Sequence, residues 1–289
     1  MKNRYKVASL IFALIFLVFL PHNNLLNNIE GAVRSKTVLE KGLVESESTV
    51  QSSKAVDRAQ KQQDLLKKVG QALSVNDKYS VSIIDINHSE SFGLGESDFF
   101  QAASVMKTLV ATAALEGVEG GKYKLNQPLG IADFEYQLQQ MINQSNNDSW
   151  DFFNSLIGFQ KEQQVADQLG LTGVKVNQNQ MTTRAAAELL LKHYKGEILK
   201  TENRDLLFSY MQNTETENRI SMGIPSGVKF YHKTGNLDGN LHDAAIVIHP
   251  QNPFILVIFT NDDRGTDWDS RFASFQKATS LVYSYFDSI

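Results

Sequence analysis

Strand-forming sequence in this 289-residue chain falls in two places, one on each side of a long helical middle, and that distribution limits the folds open to it. On the N-terminal side, Tyr79–Ile86 alternates and is rich in β-branched residues. Asn87-His88-Ser89 is a turn, and Glu90–Gly95 returns as the hairpin partner. On the C-terminal side, Lys229–Lys233, Asp243–Ile248 and Phe254–Asn261 are short β-rich runs separated by turn residues. Between them the spacing predicts helices over Val105–Val118, Phe134–Asn143, Trp150–Ile157, Lys161–Leu169, Thr183–Tyr194 and Asn203–Met211, with Thr182 or Thr183 as the N-cap of the fifth. Two more amphipathic helices bracket the whole. One carries Leu65, Val69 and Leu73; the other, Ser270–Phe286, carries Phe275, Ala278, Val282 and Phe286 on one face. The two outer groups of strands must come together to complete one sheet. The expected class is α+β: a five-stranded antiparallel sheet, terminal helices on one face, and a helical subdomain at about residues 104–215 alongside.

Composition removes several function classes. The chain has no cysteine, which excludes disulfides, thiolate catalysis and a lipidated cysteine anchor. The formal net charge is −4 and there is no basic block, so no nucleic-acid partner is expected. Six scattered histidines show no ligand spacing, so neither a metal nor another cofactor is expected. At the N-terminus, Lys2, Arg4 and Lys6 precede an apolar-or-small run from Val7 to Leu20, the layout of an export signal. Fourteen helical residues span roughly 21 Å, short of the ~30 Å hydrocarbon core, which favours a cleavable signal. The absence of a small-x-small site after Pro21 favours an uncleaved anchor. Either way the remainder is expected outside the cytoplasm, secreted or membrane-tethered. The expected domains are residues 1–32 as signal or anchor, 33–59 as a polar linker, and 60–289 as the folded domain, a monomer.

Chemistry gathers at three short motifs. Ser104-Val105-Met106-Lys107 opens a helix, which puts serine and lysine one turn apart on one face. A serine hydroxyl needs an adjacent base, and a lysine amine serves when burial or a neighbouring cation lowers its pKa. The spacing alone is weak, since Ser274-Phe-Gln-Lys277 repeats it mid-helix, where flanking phenylalanines indicate packing. Ser145-Asn146-Asn147 follows a helix of the middle region, and Lys233-Thr234-Gly235 ends a strand. Taken singly, these read as a helix cap or turn and an ordinary strand end.

In this order, the three motifs resemble the signature of the class A β-lactamase and penicillin-binding protein superfamily of serine hydrolases. The similarity runs from about Gln60 to the C-terminus. Phe100–Ser104, Met181–Ala187 and His242–Ile248 resemble the corresponding flanking stretches. The resemblance implies that Ser104 is the nucleophile, Lys107 its base and Ser145 the proton relay to the leaving nitrogen. It implies substrate contacts from Asn147, Lys233, Thr234, Gly235 and Asn236, with the backbone N–H groups of Ser104 and Asn236 as oxyanion donors. His242 stands where the family often has an arginine for the substrate carboxylate.

Two departures bear on turnover. Gly170–Met181, where the family's omega loop would lie, is short and contains no acidic residue, so the glutamate that activates the deacylating water is missing. Glu162 is the nearest glutamate upstream and is expected to face solvent; the motif aspartate is replaced by Asn146. Three functions follow. The first is a β-lactamase-like hydrolase of β-lactams or related amides with slow deacylation. The second is a D-alanyl-D-alanine carboxypeptidase or esterase acting on a peptidoglycan-like peptide. The third is a non-catalytic wall-binding module, against which the intact motif set argues.

Overall fold

The computed structural model describes residues 55–289. The expected signal or anchor, and all but the last residues of the expected linker, lie outside the described residues. From the N-terminal side come α1 (residues 55–73), β1 (Lys78–Asp85), β2 (Glu90–Leu94), β3 (Phe100–Gln101) and, after a 3-10 turn at Ala103–Met106, α2 (Lys107–Glu119). The middle holds β4 (Pro128–Leu129), β5 (Ala132–Asp133), α3 (Phe134–Asn143), α4 (Asn147–Ile157), α5 (Phe159–Gln168), β6 (Val174–Lys175), β7 (Gln180–Met181), α6 (Thr183–Tyr194) and α7 (Thr201–Tyr210). The chain closes with β8 (Phe230–Leu237), β9 (Asn240–Val247), β10 (Phe254–Asn261) and α8 (Trp268–Asp287).

The five long strands form one sheet in the order β2-β1-β10-β9-β8. Its closure rests on the antiparallel pairing of β1 with β10, from Lys78 opposite Asn261 to Asp85 opposite Phe254. β10 is the central strand and is covered on both faces, which is why it reads as a continuous apolar run. Phe254, Leu256 and Ile258 pack with Leu65, Val69 and Leu73 of α1 and Phe275, Val282 and Phe286 of α8. The alternate residues Ile255, Val257 and Phe259 face the helical region with Leu109, Val110 and Ala186. The expected α+β class and five-stranded sheet are thus present, with the terminal helices sharing one face.

Two details differ from the sequence reading. β8 does not stop at Lys233 but runs to Leu237, so the Lys-Thr-Gly motif lies inside the strand. The cause is a two-residue hairpin: Asp238 and Gly239 both have positive φ (45° and 76°), and Leu237 pairs with Asn240. Asp-Gly takes such a turn readily, and its twist suits the flanking strands. Second, a small sheet of β3, β7 and β6 ties the approach to Ser104 to the 174–181 segment.

Glu162 corrects an expectation. It is fully buried in α5 rather than solvent-facing, and neither carboxylate oxygen has a hydrogen-bond partner. Burial raises its pKa from 4.5 to about 7. The unfolded chain therefore releases this proton at lower pH than the folded one, and stability falls as pH rises through that window. Relative to wild type, Glu162→Gln is expected to gain roughly 3 kcal/mol of stability between acid pH and mildly alkaline pH. Denaturant titrations of both proteins across pH measure this; parallel curves would place the proton elsewhere.

Candidate active site

Ser104 is delivered by a tight turn. The Ala102 N–H donates to the Asn179 carbonyl (2.7 Å), and Ala103 then takes a left-handed φ of 50°. For an alanine that conformation is sparsely populated and costs of order 1–3 kcal/mol. The turn leads through the short 3-10 segment into α2 and leaves Ser104 half-buried on the wall of a cleft. Gly235 permits this arrangement. A Cβ there would come within 3.0 Å of the Ala102 carbonyl and 3.2 Å of the Ala103 Cβ. Only glycine lets β8 lie against the turn without a shift.

Lys107 is fully buried beside Ser104. Its Nζ donates to the Ser145 carbonyl (2.6 Å) and the Asn147 Oδ1 (2.8 Å), and lies 5.0 Å from the Trp150 ring centroid. Burial lowers its pKa to about 8, against the opposing pull of Asp151. Ser145 also has a left-handed φ, 53°, at the break between α3 and α4. Its Oγ accepts from Lys233 Nζ at 2.9 Å. Asn146, in the place of the family's aspartate, N-caps α4 by accepting from the Ser149 N–H (2.8 Å). Asparagine and aspartate cap about equally well, so the local turn survives the exchange.

Lys233 is buried on β8, and its Nζ also donates to the Thr234 carbonyl (3.1 Å). Its pKa is lowered to about 7, first by burial and then by the positive charges of Lys107 and Arg219. Thr234 and Asn236, two residues apart on the strand, both line the cleft. The cleft has a volume of about 650 Å³ and brings Ser104, Ser145, Asn147, Thr234 and Asn236 together. Among the described residues, no group of three or more histidine, cysteine or carboxylate side chains is arranged to hold a metal.

His242 does not join them. It is fully buried under the sheet between Phe100 and Phe259, its Nε2 bonded to the Gln101 carbonyl and its Nδ1 accepting from the Thr260 N–H. Burial drives its pKa down to about 4, so it is a neutral packing residue, and the expectation that it binds substrate is corrected. The cleft is instead lined by Arg219, itself almost fully buried, whose Nη1 donates to the His242 carbonyl (3.0 Å). The Ile220 N–H donates to Asp243 Oδ2 and holds this loop to the sheet. His232 bridges Asp243 and Glu217 and fixes the same loop. Burial alone would depress the His232 pKa, but those two carboxylates outweigh it and raise it to about 9. Arg219 carries no sequence motif and is found only in three dimensions. Asp151, also on the cleft wall, sits one helical turn after Asn147 because α4 begins at Asn147, three residues before the expected start at Trp150.

The 170–181 segment contributes Asn179 to the cleft and no carboxylate. Glu162 does not reach the cleft lining.

Comparison with known proteins follows the same lines. Beta-lactamase VEB-1 of Pseudomonas aeruginosa is 22% identical over 238 residues, 66% of this chain and 80% of that protein. A beta-lactamase from Chitinophaga pinensis DSM 2588 superposes with a TM-score of 0.71 at 22% identity, covering 76% of this chain and 98% of that one. A mutant of PBP-A, solved as an acyl-enzyme complex with penicillin G, gives 0.71 at 22% identity over 78% and 97% of the two chains. Residues 58–286 match the family model described as "Beta-lactamase enzyme family". With the fold shared along nearly the whole of these proteins and the match spanning every described strand, the chain belongs to the beta-lactamase enzyme family.

Proposed function

We propose that this protein is a β-lactamase-like serine hydrolase that is acylated at Ser104 by β-lactams or related amides. One observation carries the reading: two buried lysines converge on Ser145 beside Ser104, Lys107 at its carbonyl and Lys233 at its hydroxyl. Ser104 Oγ attacks the carbonyl carbon and passes its proton to Lys107. Ser145, already accepting from Lys233, donates its own hydroxyl proton to the departing nitrogen as the C–N bond breaks, and the proton taken up by Lys107 passes on to Ser145 Oγ, which leaves Lys107 neutral. Thr234, Lys233 and Arg219 hold the substrate carboxylate, and the N–H groups of Ser104 and Asn236 take the oxyanion.

The positive charge of Lys107 helps to depress the Lys233 pKa, so the protonation of one amine bears on the other. A carboxylate arriving beside Lys233 favours its charged form, and that charge then favours a neutral Lys107. Substrate binding thus prepares the base.

Release is the weaker half. The 170–181 segment offers no carboxylate to activate water, so the acyl-enzyme accumulates. Incubation with penicillin and intact-mass measurement is expected to show one covalent adduct per chain that decays slowly. An unmodified wild-type protein under saturating penicillin sinks the proposal. The same missing carboxylate favours a second reading, a D-alanyl-D-alanine carboxypeptidase or esterase. Faster turnover of a D-Ala-D-Ala peptide or nitrophenyl ester than of a chromogenic β-lactam selects it.

A further inference from the structure

We propose that Asp151 is the general base that activates water for release of the Ser104 acyl-enzyme. This rests on the acyl-enzyme reading above. Hydrolysis of the ester needs a proton acceptor open to solvent and close to Ser104. Among the described residues lining the cleft, Asp151 is the one carboxylate. It is exposed, so water reaches it, whereas Glu162 is sealed in α5 and the 170–181 segment has no acid.

Its position is set by α4. Asn147, whose Oδ1 is 2.8 Å from Lys107 Nζ, lies four residues before Asp151, so both stand on one face of the helix about 6 Å apart along its axis. Trp150, adjacent in sequence, places its ring beside Lys107. Asp151 therefore overlooks the lysine that neighbours the nucleophile, and it is the charge that opposes the lowering of the Lys107 pKa.

The step balances without a co-reactant. The water oxygen bonds to the acyl carbon while one of its protons passes to the Asp151 carboxylate. The carbon–Oγ bond then breaks, and Ser104 Oγ recovers a proton through Lys107. That proton is the one held by Asp151, relayed through the neutral Lys107, so a free acid leaves and the starting enzyme returns with Asp151 ionised and Lys107 neutral.

The test is Asp151→Asn in the full chain, with penicillin adduct formation and decay followed separately by mass. Adduct formation is expected to stay within a few-fold of wild type, while the lifetime of the adduct lengthens by about 100-fold or more. A purely electrostatic role gives a different pattern: removing the charge makes Lys107 easier to deprotonate, speeds acylation and leaves decay unchanged. Hydroxylamine, a nucleophile that needs little base assistance, is expected to release both adducts at similar rates, and Asp151→Glu to restore part of the decay. Equal adduct lifetimes in wild type and Asp151→Asn overturn the role of Asp151 while leaving Ser104 acylation standing. Absence of any adduct overturns the acyl-enzyme reading and this inference with it.

Discussion

Ser104→Ala is expected to abolish covalent capture of penicillin and to cut consumption of a chromogenic β-lactam by at least about 10⁴-fold. The size of the effect follows from the site. Three other hydroxyls line the same cleft, on Ser145, Thr216 and Thr234; the two that belong to the motifs, Ser145 and Thr234, are not set up to replace Ser104. Ser145 accepts a hydrogen bond from Lys233, and Thr234 is held in the edge strand with its carbonyl engaged by the same amine. Ser104 alone follows the strained turn at Ala103 and stands at the start of the segment that carries Lys107. The substitution removes one oxygen from a half-buried side chain, so stability should change by less than about 1 kcal/mol. Penicillin should still bind reversibly, because Thr234, Lys233 and Arg219 are untouched. Mass measurement of the variant after incubation decides the matter: an adduct of unchanged mass that maps to another residue removes Ser104 from the mechanism.

The parts of this molecule that depend on periodicity and local punctuation were legible in its sequence. The run Phe254–Asn261 reads as a strand because both its faces are buried, and Phe134–Asn143 and Thr183–Tyr194 read as helices because their apolar residues keep to one side. The Asp238-Gly239 hairpin was equally available and explains why β8 outruns its motif. The site divides differently. Ser104, Lys107, Ser145, Asn147, Lys233 and Thr234 stood out through the resemblance of their ordered motifs to a family signature; in the structure Ser104, Ser145, Asn147 and Thr234 line one cleft, and the two lysines lie buried behind it, bonded to Asn147 and Ser145. His242 and Arg219 could not be told apart in this way. A histidine on a strand gives no sign of whether its ring meets solvent or, as here, is wedged between Phe100 and Phe259. Arg219 reaches the cleft only because the His232–Asp243–Glu217 cluster pins its loop to the sheet, a contact among residues 11 to 15 positions apart. Glu162 was misread for a related reason: glutamate in a polar helix is normally exposed, and the sequence offers no partner that would mark it as buried.

Lys107→Met is expected to lower the acylation rate by about 10³-fold, the range lost with a general base, and to remove the pH dependence of that rate. Methionine keeps the unbranched apolar stem and discards the amine. In wild type, acylation should climb as pH rises toward about 8, since burial holds the Lys107 pKa there and only the neutral amine accepts the serine proton. The stability effect is opposite in character. A lysine whose pKa falls from 10.5 to about 8 on folding penalises the folded state at neutral pH, by roughly 3 kcal/mol, because its charge is favoured in the unfolded chain. Methionine removes that cost and also removes two hydrogen bonds, to the Ser145 carbonyl and Asn147 Oδ1, each worth about 1.5–3 kcal/mol when the donor is charged. Together the lost bonds amount to about 3–6 kcal/mol, so they equal or exceed the roughly 3 kcal/mol recovered, and the melting temperature near pH 7 should hold or fall by a few degrees while activity collapses. Retention of the melting temperature would mark the lysine as catalytic rather than structural. Acylation measured across pH for both proteins gives the second check. If the rise toward pH 8 persists in the Met variant, the base is Lys233, whose own depressed pKa lies close by, and Lys107 serves only to hold α4 against α2.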